Sequence, residues 1–461
     1  MPAFRYPDTA LPEPDARALG RSQREDHPRR TLAELVPSSR SAAEILATQN
    51  RDRVPELVPL RLSRMLADPF SFYRGSAALM AADLADSPSS GILVLSSGDA
   101  HLGNFGVYAS PQRTMVFDQN DFDEGGVAPW EWDVKRLVTS AVVGGRHLGH
   151  SPDHVERTAR ETARSYVDHL DAILRLNVLQ RYYLHAGPEA RGATESKDER
   201  RVMEAAVRRA RKRTPERAFR KLMETGPDGT LRLRENPPTV VHVPEREVEW
   251  VRARFSEYLE TVGPDIQLLL SQFRLGDVAR RAGGVGSVGT RCYLVGSIGP
   301  TGEPLILQIK EANRSVLEEY GQVPLGPRLA RHVDTYGQGG RVVAMQRMLQ
   351  AVSDPFLGPL QFEGRDHYVR QFQDMTGSVA MDQLSAQSFR DYARRCAAIL
   401  ARAHAQSPTA VRVSAYIGKG SAVTDAIVEW SSAYADKTLA DYTQVQQADA
   451  DGAFAVEDTA G

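Results

Sequence analysis

Asp99 and Asn104 lie within Gly98-Asp99-Ala100-His101-Leu102-Gly103-Asn104, and an acidic run, Asp118-Gln119-Asn120-Asp121-Phe122-Asp123-Glu124, follows shortly after. A carboxylate poised to take a hydroxyl proton, an amide oxygen and a later set of carboxylates are what Mg-ATP chemistry needs. Mg2+ takes hard oxygen ligands, and an attacking hydroxyl needs an oriented base. Asp99 is therefore the candidate base, and its bland alternative is a turn-capping Asp. His101 is expected to hydrogen-bond within the loop and hold Asp99 or a later Asp, since imidazole is a poor Mg2+ ligand. Asn104 with Asp118, Asp121 and Asp123 are the candidate metal ligands. Spacing from Asn104 favours Asp118, whereas the Asp-Phe-Asp string favours Asp121 and Asp123, and the choice stays open.

A second constellation lies far downstream. The glycine-rich stretch Gly284-Val285-Gly286-Ser287-Val288-Gly289 precedes an alternating run over 290–295, a Gly/Pro turn at 299–302 and Leu305-Ile306-Leu307-Gln308-Ile309-Lys310. Glycines let backbone close over phosphates, and a lysine ending the third strand reaches them. A dinucleotide-binding turn would lead into a helix, whereas β-type residues follow here. Gly284, Gly286, Ser287, Gly289 and Lys310 are the candidate nucleotide contacts. Burying a lysine at a strand end requires a partner. Glu318 and Glu319 are candidates, although they follow Lys310 closely. Arg74, in Phe72-Tyr73-Arg74-Gly75, is a candidate for binding a phosphate or bracing the catalytic loop.

The chain resembles a bacterial family called domain of unknown function 2252, itself similar to kinase-like and aminoglycoside phosphotransferases. The resemblance is carried by residues 70–77, 98–106, 118–124, 129–137, 308–312 and 353–358. It implies an α+β, two-lobe protein-kinase-like fold using ATP and Mg2+, with Asp133 as the residue bracing the catalytic loop; its alternative is a helix N-cap. The order is inverted, because the catalytic loop precedes the glycine-rich lobe. A helical pattern over 389–405 resembles the helix that leads into that loop in aminoglycoside phosphotransferases, yet no such loop follows it. A circular permutation accounts for both facts.

The expected organisation is an irregular arm over 1–40, a helical segment with the catalytic region over 41–282, a β-rich nucleotide-binding lobe over 283–384 and closing helices over 385–461. Segments 342–346 and 367–372 read as the strands completing the small lobe. Residues 42–84 read as mainly helical, 92–95 as a strand, and 107–117 as a hairpin. Trp130 and Trp132 read as core.

With 57 basic and 59 acidic groups, no global field points to nucleic acid or an anionic membrane. The basic run 208–213 is flanked by acids and lacks interleaved aromatics, so it reads as a solvated helix face or an anion-facing edge of the acceptor site rather than a nucleic-acid contact. Cys292 and Cys396 read as buried thiols, too few for a disulfide framework. No apolar signal segment opens the chain, and a cytoplasmic location is expected. The expected activity is transfer of the ATP γ-phosphoryl group to a hydroxyl of a small molecule. Nucleotidyl transfer to protein (AMPylation) and a non-catalytic nucleotide-binding regulator are the alternatives. The acceptor is expected to be small because no activation-loop string follows the acidic run.

Overall fold

The structure is a computed structural model and describes residues 11–185, 197–225, 231–284, 286–372 and 375–454. It is a mixed α+β fold. Four short strands come first: β1 (Leu93–Ser96), β2 (Phe105–Ala109), β3 (Met115–Gln119) and β4 (Gly126–Pro129). β1 pairs antiparallel with β4, and β2 forms a hairpin with β3. Met223–Thr225 (β5) and Leu231–Leu233 (β6) make a separate pair.

The main sheet contains β7 (Val240–His242), β8 (Arg274–Arg281), β9 (Cys292–Ile298), β10 (Pro304–Glu311), β11 (Gly358–Phe362) and β12 (Arg365–Gln371). It is antiparallel, in the order β11-β12-β10-β9-β8-β7. A last short strand, β13 (Gly377–Ser378), joins the edge of β2.

The pleat of β10 decides which side chains reach the cleft. Alternate residues face opposite sides of a strand. Leu305, Leu307 and Ile309 pack into a core with Val248, Val251 and Tyr258 of the Glu245–Thr261 helix. Gln308 and Lys310 lie on the opposite face with Ile306, which joins Met223, Leu294 and Phe372. A larger core gathers the Trp130–His147, Pro152–Leu174, Ala386–His404 and Ser421–Ala450 helices and contains Trp130 and Trp132. Cys292 and Cys396 are free and buried. Among the described residues no helix is long and apolar enough to cross a membrane.

Three expectations about elements need correction. Residues 342–346 are not a strand but part of the Pro327–Leu349 helix. Val342 and Val343 carry a small intrinsic penalty in a helix, and burial of both with Met345 in the large core outweighs it. Residues 13–26, placed in an irregular arm, form a helix that packs on residues 410–417. Its polar side chains are structural: Gln23 donates to the Ser90 carbonyl at 2.8 Å and Arg24 Nε to the Tyr416 carbonyl at 2.9 Å. The sheet begins before residue 283, because β7 and β8 precede the glycine-rich turn. Arg274–Arg281 is polar at both ends, which hides its alternation.

Candidate active site

β1 delivers the chain to Gly98, and the loop that follows is fixed from behind by one helix. Asp133, in the first turn of Trp130–His147, accepts the backbone N–H groups of Ser97 at 2.8 Å and Gly98 at 3.0 Å. His404 Nε2 lies 3.2 Å from the same carboxylate. Burial opposes ionisation, but His404 and the loop donors hold Asp133 below the usual carboxylate range. Asp133 thus braces the loop rather than merely capping a helix. Gly98 has φ +74°, and a Cβ there would sit 2.2 Å from the Glu124 carbonyl oxygen, so the loop touches the acidic turn at this residue.

Arg136, one helical turn beyond Asp133, meets Asp99. Its Nε donates to Asp99 Oδ1 at 2.8 Å and its Nη2 to the Tyr73 carbonyl. Asn104 Nδ2 donates to the Asp99 carbonyl at 2.9 Å and lies 3.5 Å from Oδ2. Burial raises the Asp99 carboxyl, and Arg136 pulls it back. The His101 Nδ1 accepts the Gly103 N–H at 3.0 Å, which leaves the proton on Nε2, 3.7 Å from Asp99 Oδ2. Burial, with Arg136 and Arg74 adding, pushes His101 well below its usual value, so the ring is neutral and makes no ion pair.

Lys310 reaches across to the acidic turn. Its Nζ lies 2.6 Å from Asp123 Oδ2, and the Tyr368 hydroxyl donates to Asp123 Oδ1 at 2.6 Å. Burial opposes both charges, but the pair wins. Asp123 is held below its usual value with help from Tyr368, and Lys310 is held above its own. Asp121 is raised by burial and by Asp123 beside it. Burial lifts Glu124 to about 7 although Val316 N–H donates to it.

The structure brings Asp99, His101, Asn104, Asp121 and Asp123 to one cavity of about 420 Å3 with Arg74, Gly284, Gly286, Ser287 and Glu319. Asp118 is not brought there. It is buried on β3, where its carboxylate accepts Gln119 N–H at 2.8 Å and Ala351 N–H at 2.7 Å. That position ties the hairpin to the end of the Pro327–Leu349 helix, so Asp121 and Asp123 are the cleft carboxylates. Glu318 and Glu319 do not partner Lys310. Ser315 Oγ bonds to the Glu124 carbonyl and anchors the short Val316–Glu319 helix. Glu318 then pairs with Arg314, while Glu319 faces the cavity. Gly289, with φ +89°, packs on Arg53 instead of lining the cavity.

Gly284 also lines a second cavity of about 770 Å3, beside Asn120, Arg281, Gln308, Arg370, Gln371 and Phe372. Arg370 Nε donates to Gln308 Oε1 at 2.9 Å, and Arg281 lies over the Phe372 ring at 4.8 Å. Among the described residues no group of three or more His, Cys, Asp or Glu side chains is arranged to hold a metal. Asp121 and Asp123 remain as hard-oxygen donors with Asn104, which suits a Mg2+ that keeps waters and phosphate oxygens as its other ligands.

The residues that spacing alone missed are Arg136, Tyr368, and Arg53 and Arg61, which line the same cavity as Asp99. Arg136 was legible in principle, being three residues after Asp133 and hence on the same helix face. Tyr368 depended on strand register, since Lys310 pairs with it across β10 and β12. No curated protein and no solved structure matches this chain. Residues 53–448 match the model of a family described as an uncharacterized protein conserved in bacteria (DUF2252), and the chain belongs to that family.

Proposed function

We propose that this protein transfers the γ-phosphoryl group of ATP to a hydroxyl of a small molecule, on a kinase-like two-lobe frame whose chain order is circularly permuted. The observation that carries this reading is the contact of Lys310 with Asp123, 187 positions apart, beside Asp99 and the glycine-rich turn. The arrangement supports the frame. A β8-β9-β10 meander has the glycine turn after its first strand and the lysine on its third, and a long helix then crosses to β11 and β12. The Ala386–His404 helix packs against β1, which feeds the Asp99 loop. A cut between that helix and that loop explains the inverted order.

In this reading the acceptor oxygen bonds to the γ-phosphorus as its proton passes to Asp99 Oδ2, the oxygen that Arg136 leaves free. The bond from phosphorus to the β–γ bridging oxygen breaks, and ADP leaves with that oxygen. Asn104, whose Nδ2 is committed to Asp99, would offer Oδ1 to Mg2+ with Asp121 and Asp123. The ion neutralises phosphate charge when bound. Lys310 holds the acidic turn and supplies positive charge near the phosphates. The base would lie in the second cavity beside Gln371 and Phe372.

One observation favours a second reading. An adenine pocket is expected to have apolar walls, whereas Arg281 and Arg370 line this one. Cations there suit phosphates, and an ATP bound in the reverse sense would present its α-phosphorus for nucleotidyl transfer. A metabolite extract and a protein extract incubated with ATP labelled at either position separate the cases. The γ label is expected in a small molecule. The α label on protein would favour nucleotidyl transfer. No transfer, with Mg-ATP still raising the melting temperature, would favour a regulator. Lys310→Ala is expected to shrink that rise; an equal rise would remove Lys310 from the nucleotide site.

A further inference from the structure

The cavity around Asp99 is lined by both charges, and three of its arginines stand outside every ion pair among the described residues. Asp99 is taken by Arg136, Asp123 by Lys310, and Glu311 by Arg291 at 3.3 Å and Arg365 at 2.8 Å. Arg53, Arg61 and Arg74 line the same cavity. None of these three makes an ion pair within 4.0 Å among the described residues, and the Nε of each is buried without a hydrogen-bond partner. Arg61 is 1% exposed, with its two terminal nitrogens on Asn50 and Gln49, so its orientation is set by neutral amides. Arg53 gives one nitrogen to the Val288 carbonyl. Arg74 lies against the catalytic loop: a Cβ on Gly103 would be 3.1 Å from Arg74 Nε.

Guanidiniums buried without an ion-pair partner are unfavourable: burial pushes Arg53 down to about 10, with the more distant Glu124 and Glu311 opposing, and Arg61 well below its usual value. Such a set is kept where an anion completes it, and guanidinium donors match phosphate oxygens. The three come from residues 53–74 and line the cavity that holds Asp99, whereas none of them lines the second cavity, where the nucleotide base would lie.

We infer that the acceptor is a hydroxyl compound that already carries a phosphate group, held by Arg53, Arg61 and Arg74 with its hydroxyl toward Asp99. This rests on the phosphotransferase reading for the role of Asp99. The site itself needs no nucleotide. Inorganic phosphate and pyrophosphate, titrated into the full chain without ATP, are expected to raise the melting temperature saturably. Arg74→Gln and Arg53→Gln are each expected to weaken that effect by about tenfold or more, a loss of about 1.4 kcal/mol. Arg74→Lys should recover part of it, and Lys310→Ala should leave it in place.

Mg-ATP should protect the arginine variants as well as the wild type, which also shows that they fold. The inference is overturned if phosphate has no saturable effect on the wild type, or an equal effect on the arginine variants. It is also overturned if those variants lose Mg-ATP binding in parallel, because the arginines would then serve the nucleotide. Labelled-ATP transfer tests the phosphotransferase reading separately, so either can fail alone.

Discussion

At the scale of single residues, charge is what the interior has to justify. Lys135 is fully buried, its Nζ has no hydrogen-bond partner, and it sits 4.4 Å above the Trp430 ring. Burial lowers it to about 8, with Glu131 opposing. The unfolded chain, with a lysine value near 10.4, binds this proton more tightly than the folded one. Stability therefore falls as pH drops from about 10.4 to 8, and below that the loss, about 3 kcal/mol, is complete. Lys135→Met should stabilise the protein at pH 7 by up to about that amount. The gain should vanish above pH ~10.5 in denaturant titrations; a gain independent of pH would assign the effect to packing.

Asp99→Asn should leave the Mg-ATP melting shift nearly intact and lower transfer by about 10²- to 10⁴-fold. Wild-type turnover in that variant would remove Asp99 as the base. The convergence of Asp99, Asn104, Gly284 and Gly286 on one cavity was legible because short motifs carry them, whereas Gly289 falls outside it. The choice between Asp118 and the Asp121–Asp123 pair stayed open because counting from Asn104 cannot show where β3 ends, and the strand continues through Gln119 before the chain turns into the cleft.

At the scale of elements, the Asp99 loop and the acidic turn are one unit joined at Gly98. Gly98→Ala combines an unfavourable positive φ with a Cβ 2.2 Å from the Glu124 oxygen. Gly149 has a similar φ of +73° with nothing near its Cβ, and so separates the two effects. Gly149→Ala should lose about 1 kcal/mol and Gly98→Ala about 2–4 kcal/mol, with transfer lost only in the latter. Equal losses by thermal or denaturant unfolding would mean that the contact relaxes freely. Local patterns were a good guide where burial followed them, as in the strand feeding Gly98 and the helix over 386–404. They failed at 342–346, where two adjacent valines lie on a helix buried around most of its circumference.

At the scale of the whole molecule, the sheet core and the larger helical core meet at the cleft, and no spacing in the sequence could have shown which of their residues touch. The motifs announced both walls. The arginines of 53–74 could not be singled out, because their meaning lies in what stands opposite them. The same helical region grips the glycine-rich turn: Val54 N–H donates to the Gly289 carbonyl at 2.8 Å, and Arg64 donates to the Gly284 carbonyl at 3.0 Å. A turn tethered at both ends resists lifting by itself, so if nucleotide binds beneath it as proposed, its exchange would become a joint motion with those helices. Its tempo is then governed from outside the cleft. Arg64→Ala removes one tether at an exposed side chain and should speed nucleotide dissociation in stopped-flow measurements several-fold, by about 1 kcal/mol at the barrier, while the chemical step keeps its rate. An unchanged off-rate would mean that the turn is not the gate, and that the ligand leaves through the open side of the second cavity.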